Sequence, residues 1–503
     1  MTLTALKIPP GVWRNGTQYQ GKGRWKQSQL VRFTEGTKQP VGGWQTVQAG
    51  GADISFTGVC RKLLGWSFGQ APTLAIGTNS HLYTFVQGAL TDRTPASFTP
   101  GGVDTEIATG QFGSGAWGAG NYGEGDPAQS AQTEAGSWQL DTFGNQLVGV
   151  HNIDGNLVTW DTGGGLAVKP TATSGSVPVS NVGVVVTPER FVVCLGAGGD
   201  DRLLQWGDRE SLVKWDPIEA GSSAGDYPLA GQGKLMTGAR GKNETLIWTD
   251  QDLWAMQFIG GALVYSVKQI GTKCGIISRH AKAVVDGRAI WMGQRGFFAY
   301  DGFVKSLPSE VSDYVFGDFN RTQRAKCHAM PLPNFGEVWF FYCSAASIEP
   351  DRYVIYNYLE NHWSLGDMER TAGIDQGAFE YPMMADTTLV YDHERGTSRT
   401  GVTAPFLESG PIEIGDGDQF IDVTGMVPDE STSAGQVLGS TTAKFFVTKH
   451  PDEAEVEYGP FTMGNPTDVR LSARQIRMRI DEAVEGAWRV GEPRLDMQPG
   501  SRR

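Results

Sequence analysis

The sequence predicts an all-β protein: a β-propeller of about six blades followed by a small C-terminal β-sandwich-like domain. Three observations predict it. Short apolar runs ending on an aromatic residue recur along the chain, separated by Gly or polar turns. The later ones return every ~45 residues, the spacing of propeller blades. The composition, with 68 Gly, 15 Trp and only 19% charged residues, is that of a turn-rich, aromatic-rich fold and not of a helical one. The alternative with the same ingredients is an irregular β-sandwich with ordinary hairpins.

The clearest unit spans 283–302. Val284 and Val285 precede a turn at Asp286-Gly287, where Asp-Gly supplies the positive φ of a two-residue hairpin. Ala289, Ile290 and Trp291 form a second run, and Phe297 to Tyr300 a third. A meander this short cannot bury both faces alone, so its copies must stack. Looser copies run through Leu74–Phe85, Gln146–Asp161, Phe191–Trp206, Glu244–Trp254 and Gly336–Asn357. A weaker strand pair lies at 388–392. The best helix candidate is short, at 309–324, with Val311, Tyr314, Val315 and Phe316.

Three regions follow. Residues 1–50 are an N-terminal arm with the first strands. Residues 51–400 form the propeller, with a Gly-rich insertion at 101–136. Residues 401–503 form a C-terminal sandwich or platform. The arm is basic: Lys7, Arg14, Lys22, Arg24, Lys26, Arg32 and Lys38 face one acid, Glu35. Such an arm suits docking onto another acidic surface, such as a neighbouring subunit, or a solvated edge strand. The insertion carries Phe112, Trp117 and Tyr122 among Gly, Ala and Ser. It matches no phosphate loop or dinucleotide fingerprint, and a projecting loop at an intersubunit or lumen-facing surface is expected. The C-terminal strands are expected at 419–423, 443–448, 469–480 and 487–495. The third alternates apolar residues with Arg, although Arg474, Arg477 and Arg479 do not share parity, which suggests a bulge or a subunit contact.

The net charge of −13 disfavours a long-lived nucleic-acid complex held through phosphate contacts, without excluding DNA that slides past. The five cysteines, at 60, 194, 274, 327 and 343, lack metal or redox spacing and are expected as buried, reduced thiols. The first residues lack the layout of a signal peptide, and no apolar run approaches the ~20 residues of a membrane span. A soluble, non-exported protein is expected.

No constellation points to chemistry, so no catalytic, cofactor-binding or metal-ligating residue is assigned. His151, His280, His328, His362 and His450 have no partner at ligand spacing and are expected as satisfied histidines. Asp416 and Asp418 are two acids without a longer calcium-binding run, and a polar turn is favoured. Asp154-Gly155-Asn156 hints at the aspartate box of sialidase propellers, but position 152 is Asn where that motif has Ser or Thr.

The run Pro10-Gly-Val-Trp-Arg-Asn-Gly-Thr-Gln-Tyr19, with Arg24-Trp25, Leu30-Val-Arg-Phe33 and Gly42-Gly-Trp44, resembles the opening of phage virion proteins. Phe191 to Gly196, Leu204-Gln-Trp206, Asp252-Leu-Trp254, Val469–Ile480 and Trp488-Arg-Val490 extend the likeness over most of the chain. Taken in order, they resemble the tail hub of short-tailed bacteriophages, also called the nozzle or packaged-DNA stabilisation protein. The resemblance implies a non-enzymatic, propeller-bearing virion protein without cofactor, assembled in the host cytoplasm. It implies a hexameric ring below the portal and head-to-tail adaptor proteins. That ring would retain DNA until ejection, touch it only transiently and without sequence preference, and carry tail fibre, spike or needle proteins. A net negative inner wall of the ring is expected from the chain's charge. Two other classes remain: a glycan-binding, lectin or sialidase-like propeller with exposed Trp, and a propeller enzyme with a quinone or metal at its axis.

Overall fold

A computed structural model describes residues 3–17, 19–69, 71–107, 132–161, 164–413, 419–432, 438–450 and 453–500. Seven antiparallel sheets stand around one axis. Blade 1 comprises Cys60–Phe68, Ala71–Thr78, Leu82–Val86 and Ala89–Asp92. Blade 2 has Trp138–Phe143, Gln146–His151 and Leu157–Trp160, extended by a single bridge from Thr159 to Val168. Blade 3 is Gly183–Val186, Val192–Leu195, Leu203–Trp206 and Gly225–Pro228; blade 4 is Leu235–Arg240, Thr245–Thr249, Leu253–Phe258 and Tyr265–Gly271. Blade 5 is Lys282–Val285, Arg288–Met292, Phe297–Tyr300 and Val304–Leu307. Blade 6 is His328–Leu332, Glu337–Tyr342, Arg352–Asn357 and His362–Asp367.

The seventh blade accounts for the weaker strand pair. Its first three strands, Ala372–Ile374, Met383–Ala385 and Val390–His393, are short. The fourth comes from the other end of the chain: Trp44–Thr46 pairs with Tyr391–His393, Trp44 opposite His393. A blade split over the two halves of a sequence leaves no complete repeat to count, so about six blades were visible and seven sheets form. The first strands of neighbouring blades lie side by side around the axis. Between blades 4 and 5, Lys282 Nζ donates to Thr237 Oγ1 and Trp248 meets Trp291 edge to face at 5.7 Å.

Each blade is sandwiched between two others, so its second strand is buried on both faces. That is why these strands read as continuous apolar runs and not as alternation. All six residues of Glu337–Tyr342 are buried. The terminal domain has the opposite texture. Thr441–Thr448 alternates buried and half-buried residues along its whole length, as a sheet with one wet face requires.

That domain is a composite of both chain ends. Leu3–Ala5 pairs with Arg494–Pro499, which pairs with Ile421–Val427 and then Thr467–Ala473. Trp25–Gln29 edges a second sheet with Phe406–Ser409, Gln475–Glu482, Thr441–Thr448 and Val456–Thr462. A third sheet holds Val31–Thr34, Thr37–Pro40, Trp488–Val490 and Glu430–Thr432. Residues 1–50 are therefore no separate arm. The expected strand 469–480 is two strands that turn a corner at Arg474 between the first two sheets, which explains the broken Arg parity. One apolar cluster runs from Leu6, Trp25 and Phe33 through Trp291 and Trp363 to Phe445 and Ile480, so propeller and terminal domain share a core.

Four of the seven basic residues of 1–50 find partners within the chain, so much of this segment's charge meets groups of its own chain. Lys22 pairs with Glu413 and Arg24 with Glu310. Arg32 pairs with Glu337 and Glu394. Lys38 Nζ donates to the Gly491 carbonyl at 2.9 Å. The expected helix shortens to Ser312–Gly317 with a separate 3-10 turn at Arg324–Lys326.

Candidate functional site

Antiparallel blades sort their loops onto two faces. Turns after the first and third strands fall on one face, here the turn face. Turns after the second strand and the connections between blades fall on the other, the crossover face. The axis between them is a polar channel lined by the first strands.

Two adjoining cavities of ≈ 170 and ≈ 290 Å³ share Lys62, Ala239, His280, Lys282 and Val284. Lys62 comes from the first strand of blade 1 and Lys282 from that of blade 5. His280 and His328 precede or open the first strands of blades 5 and 6 and bridge to each other. Burial, together with the charge of Lys62, lowers the Lys282 ammonium to about 7, against the opposing pull of Asp141. Burial also lowers Lys62. His280 is held well below its ordinary value by burial and by both lysines. His328 falls to about 3, again mainly through burial, and stacks on Phe341 at 4.8 Å. Both imidazoles are therefore neutral at pH 7.

The acids nearby are engaged. Asp141 accepts from Arg240 Nη2 at 2.8 Å, from the Val186 amide at 2.8 Å and from the Thr142 amide at 2.7 Å. At the crossover face Glu349 takes both Arg61 and Lys326. The foot of the Gly-rich insertion crosses this mouth. Glu106 and Ile107 pair with Thr133 and Gln132. Asp104 meets Lys326, Glu134 meets Arg279, and the Thr105 amide donates to Gln323 Oε1 at 3.1 Å. The insertion leaves between blades 1 and 2, yet its foot is fastened to the connections before blades 5 and 6, across the axis. Phe112, Trp117 and Tyr122 lie outside the described residues, as do Asp416 and Asp418.

The turn face carries apolar side chains. After the third strand of five successive blades stand Leu166 and Val168, Ile218, Phe258 with Ile259 and Leu263, Phe303, and Leu359. Ile218 is 89% exposed, Phe303 77%, Leu263 74% and Leu359 69%. Tryptophan does not contribute. Trp13 is half-buried in a cleft of ≈ 390 Å³ with Arg14 and Tyr314, and every other described Trp is buried.

The remaining sequence readings resolve plainly. All five cysteines are buried, and burial pushes the Cys60 and Cys343 thiols up to about 12 and Cys274 to about 11. Asp154 holds a turn: its carboxylate accepts from the Thr99 amide at 3.1 Å and from Asn156 Nδ2 at 2.9 Å, with Gly155 at φ 66. His151 Nε2 meets the Asn79 carbonyl at 3.0 Å. His280 and His328 depart from the expectation of satisfied histidines, because His280 Nε2 and both His328 ring nitrogens lack a well-aligned hydrogen-bond partner. No group of three or more His, Cys, Asp or Glu that would hold a metal occurs among the described residues. No helix among them is long and apolar enough to cross a membrane.

Sequence reading assigned none of the axial residues, because they are spread over blades 1, 5 and 6, with only His280 and Lys282 close in sequence. The one signal available is the repeat: superimposing the first strands would place Lys62 with Lys282 and His280 with His328.

No family model and no curated protein matches the chain. Solved structures with similar backbones are β-propellers. The Pan2 WD40 domain of Neurospora crassa is 7% identical, with 73% of this chain and 98% of that chain covered at a TM-score of 0.39. The Cps50 (Swd1) β-propeller domain of Myceliophteria thermophila is 8% identical, with 69% and 99% covered at 0.40. YCF48 of Cyanidioschyzon merolae is 9% identical, with 70% and 99% covered at 0.36.

Proposed function

We propose that the chain is a structural subunit of the distal tail tube, or nozzle, of a short-tailed phage. It assembles as a hexameric ring between head-to-tail adaptor proteins and fibre or needle proteins, retains packaged DNA and conducts it at ejection. The order of motifs from Pro10 to Val490 supports this identity. The observation that carries an assembly role is the row of exposed apolar turns on one face of five successive blades. Exposed apolar side chains that recur on the same turn of five successive blades suit a face that contacts another protein. A second protein of the same tail is the occupant this reading commits to. The net charge of −13 and the internal pairing of Lys22, Arg24, Arg32 and Lys38 leave fewer groups to grip phosphates, which suits passage of DNA. The glycan-binding alternative needs exposed Trp to stack on sugars, and the described residues supply none.

The test is the mass of purified protein, alone and with adaptor proteins, by light scattering and negative-stain images. Rings under either condition are expected. A monomer under both, with retention on a glycan array, overturns the reading.

A further inference from the structure

We propose that the axial channel is a binding site for a small oxyanion of the phosphate class, held by Lys62 and Lys282 with His280 and His328 at its wall. This rests on the channel alone and stands whether or not the protein forms a ring.

The argument starts from what the two ammonium groups lack. An ammonium has three donors. Lys282 Nζ spends two on neutral acceptors, Thr237 Oγ1 and the Arg279 carbonyl at 3.0 Å. Lys62 Nζ has no hydrogen bond or ion pair among the described residues. Of the acids nearby, Glu349 is already committed to Arg61 and Lys326. The two lysines of this shared cavity therefore have only the Asp141 carboxylate in electrostatic reach, and it is already bonded to Arg240 and two backbone amides. Lys62 and Lys282 are half-buried; a partly desolvated charge without a partner is unfavourable, and a chain that keeps two in one place leaves room for a mobile counter-charge.

The remaining lining fits the same ligand. His280 Nε2 has no hydrogen-bond partner, and a neutral imidazole can donate one N–H to an oxyanion; His328, whose ring faces the Lys326 backbone, completes the wall. His328 is 3% exposed, so its polar atoms are available only to something inside the cavity. A water takes about 30 Å³, so the smaller cavity of ≈ 170 Å³ admits a five-atom oxyanion. Two cations favour a dianion over a carboxylate. Sidedness follows too: Lys62, Lys282, His280 and His328 lie toward the crossover face, where the foot of the insertion spans the mouth, whereas Arg240 and Asp141 close on each other toward the turn face.

Titration calorimetry of the full-length protein at pH 8 tests this, with inorganic phosphate, glycerol phosphate and acetate as probes. Saturable one-site binding of inorganic phosphate, with little or none of acetate, is expected. Binding should also take up protons, visible as a heat that changes between buffers of different ionisation enthalpy. Lys282 is lowered to about 7 and recharges when an anion arrives. Lys62→Met and Lys282→Met should each weaken binding about tenfold or more, the worth of a hydrogen bond to a charged group. Lys282→Met should abolish the proton uptake. Binding of inorganic phosphate alone identifies a free-ion site; binding of both phosphate probes identifies a site for phosphate esters. If a Met variant fails to fold, the Gln variant at the same position and the buffer dependence of the native protein decide. Absence of saturable phosphate binding, or binding that neither lysine substitution weakens, overturns the proposal.

Discussion

Two regions of this molecule hold cations wholly or partly out of water, and they do so in opposite ways. At the junction of propeller and terminal domain, Arg32 is 2% exposed and fully engaged. Its Nε donates to Glu337 Oε1 at 2.7 Å, and Nη2 donates to Glu337 Oε2 at 3.0 Å and Glu394 Oε1 at 2.9 Å. Its guanidinium lies 3.6 Å over the Phe335 ring. Burial opposes the charge, but the two carboxylates outweigh burial and raise the guanidinium above its ordinary value. At the axis, burial dominates instead, and Lys62 and Lys282 are both lowered. A cation that holds the fold together is matched by acids supplied by the fold. A cation left unmatched is held ready for something the fold does not supply. The first kind stitches residue 32 to residues 337 and 394 through charge; of the second kind, Lys282 reaches only neutral acceptors, Thr237 Oγ1 and the Arg279 carbonyl.

That contrast makes its largest prediction at Arg32. Arg32→Ala leaves Glu337 and Glu394 buried without their cation, which should cost about 3–5 kcal/mol, read as a lowered urea midpoint. A loss below about 1 kcal/mol would mean the junction is not held by charge. Backbone fit at the same junction comes next. Gly11 has φ +92, and a Cβ there would lie 2.9 Å from the Cβ of His362. Its neighbour Val12 donates to the Trp363 carbonyl at 2.7 Å. Gly11→Ala combines strained backbone with a clash, and a loss of about 1–3 kcal/mol is expected in the same measurement.

The junction was partly legible in the sequence and the axis was not, for a physical reason. The second strands of the blades announce themselves because both faces are buried, so runs such as Val338 to Tyr342 are apolar without a break. The alternation at 441–448 marks the terminal sandwich equally well. The basic composition of 1–50 also marks a segment that docks on acids. Composition alone cannot say that the acids, Glu310, Glu337, Glu394 and Glu413, belong to the same chain 286 to 391 residues away. Blade 7 was faint because ring closure borrows Trp44–Thr46 from the far end. The axial cluster leaves almost no local spacing, since only His280 and Lys282, at the start of one blade, are near in sequence. Closure of the ring, and nothing nearer in sequence, brings position 62 beside 282 and 280 beside 328.

A smaller effect separates the two kinds of cation by pH. Lys282 is lowered from 10.5 to about 7, so between those values the unfolded chain binds more protons than the native one. Stability from this group therefore rises with pH across that window and is flat below about 7. The rise should appear in urea midpoints measured from pH 7 to 10 and should flatten in Lys282→Met. Arg32 stays charged throughout and should add no slope. A native protein whose midpoint falls steadily over this range, with the variant falling in parallel, would remove Lys282 from the account.

The smallest effect on stability belongs to the turn face, and there smallness is the point. Ile218 and Phe303 project from blades 3 and 5 with most of their surface in water, and no core cluster includes either. Replacing both with Ser should change stability by no more than about 0.5 kcal/mol, as for surface positions generally. If these turns are the contact with another tail protein, the same double substitution should abolish rings in the presence of adaptor proteins while the monomer melts unchanged. Arg32→Ala would do the reverse, weakening the monomer before any assembly is tested. Assembly that survives the serine substitutions would mean that the apolar turns are not the docking surface, and the terminal domain would become the next place to look. Loss of stability together with assembly would place Ile218 or Phe303 in the core after all.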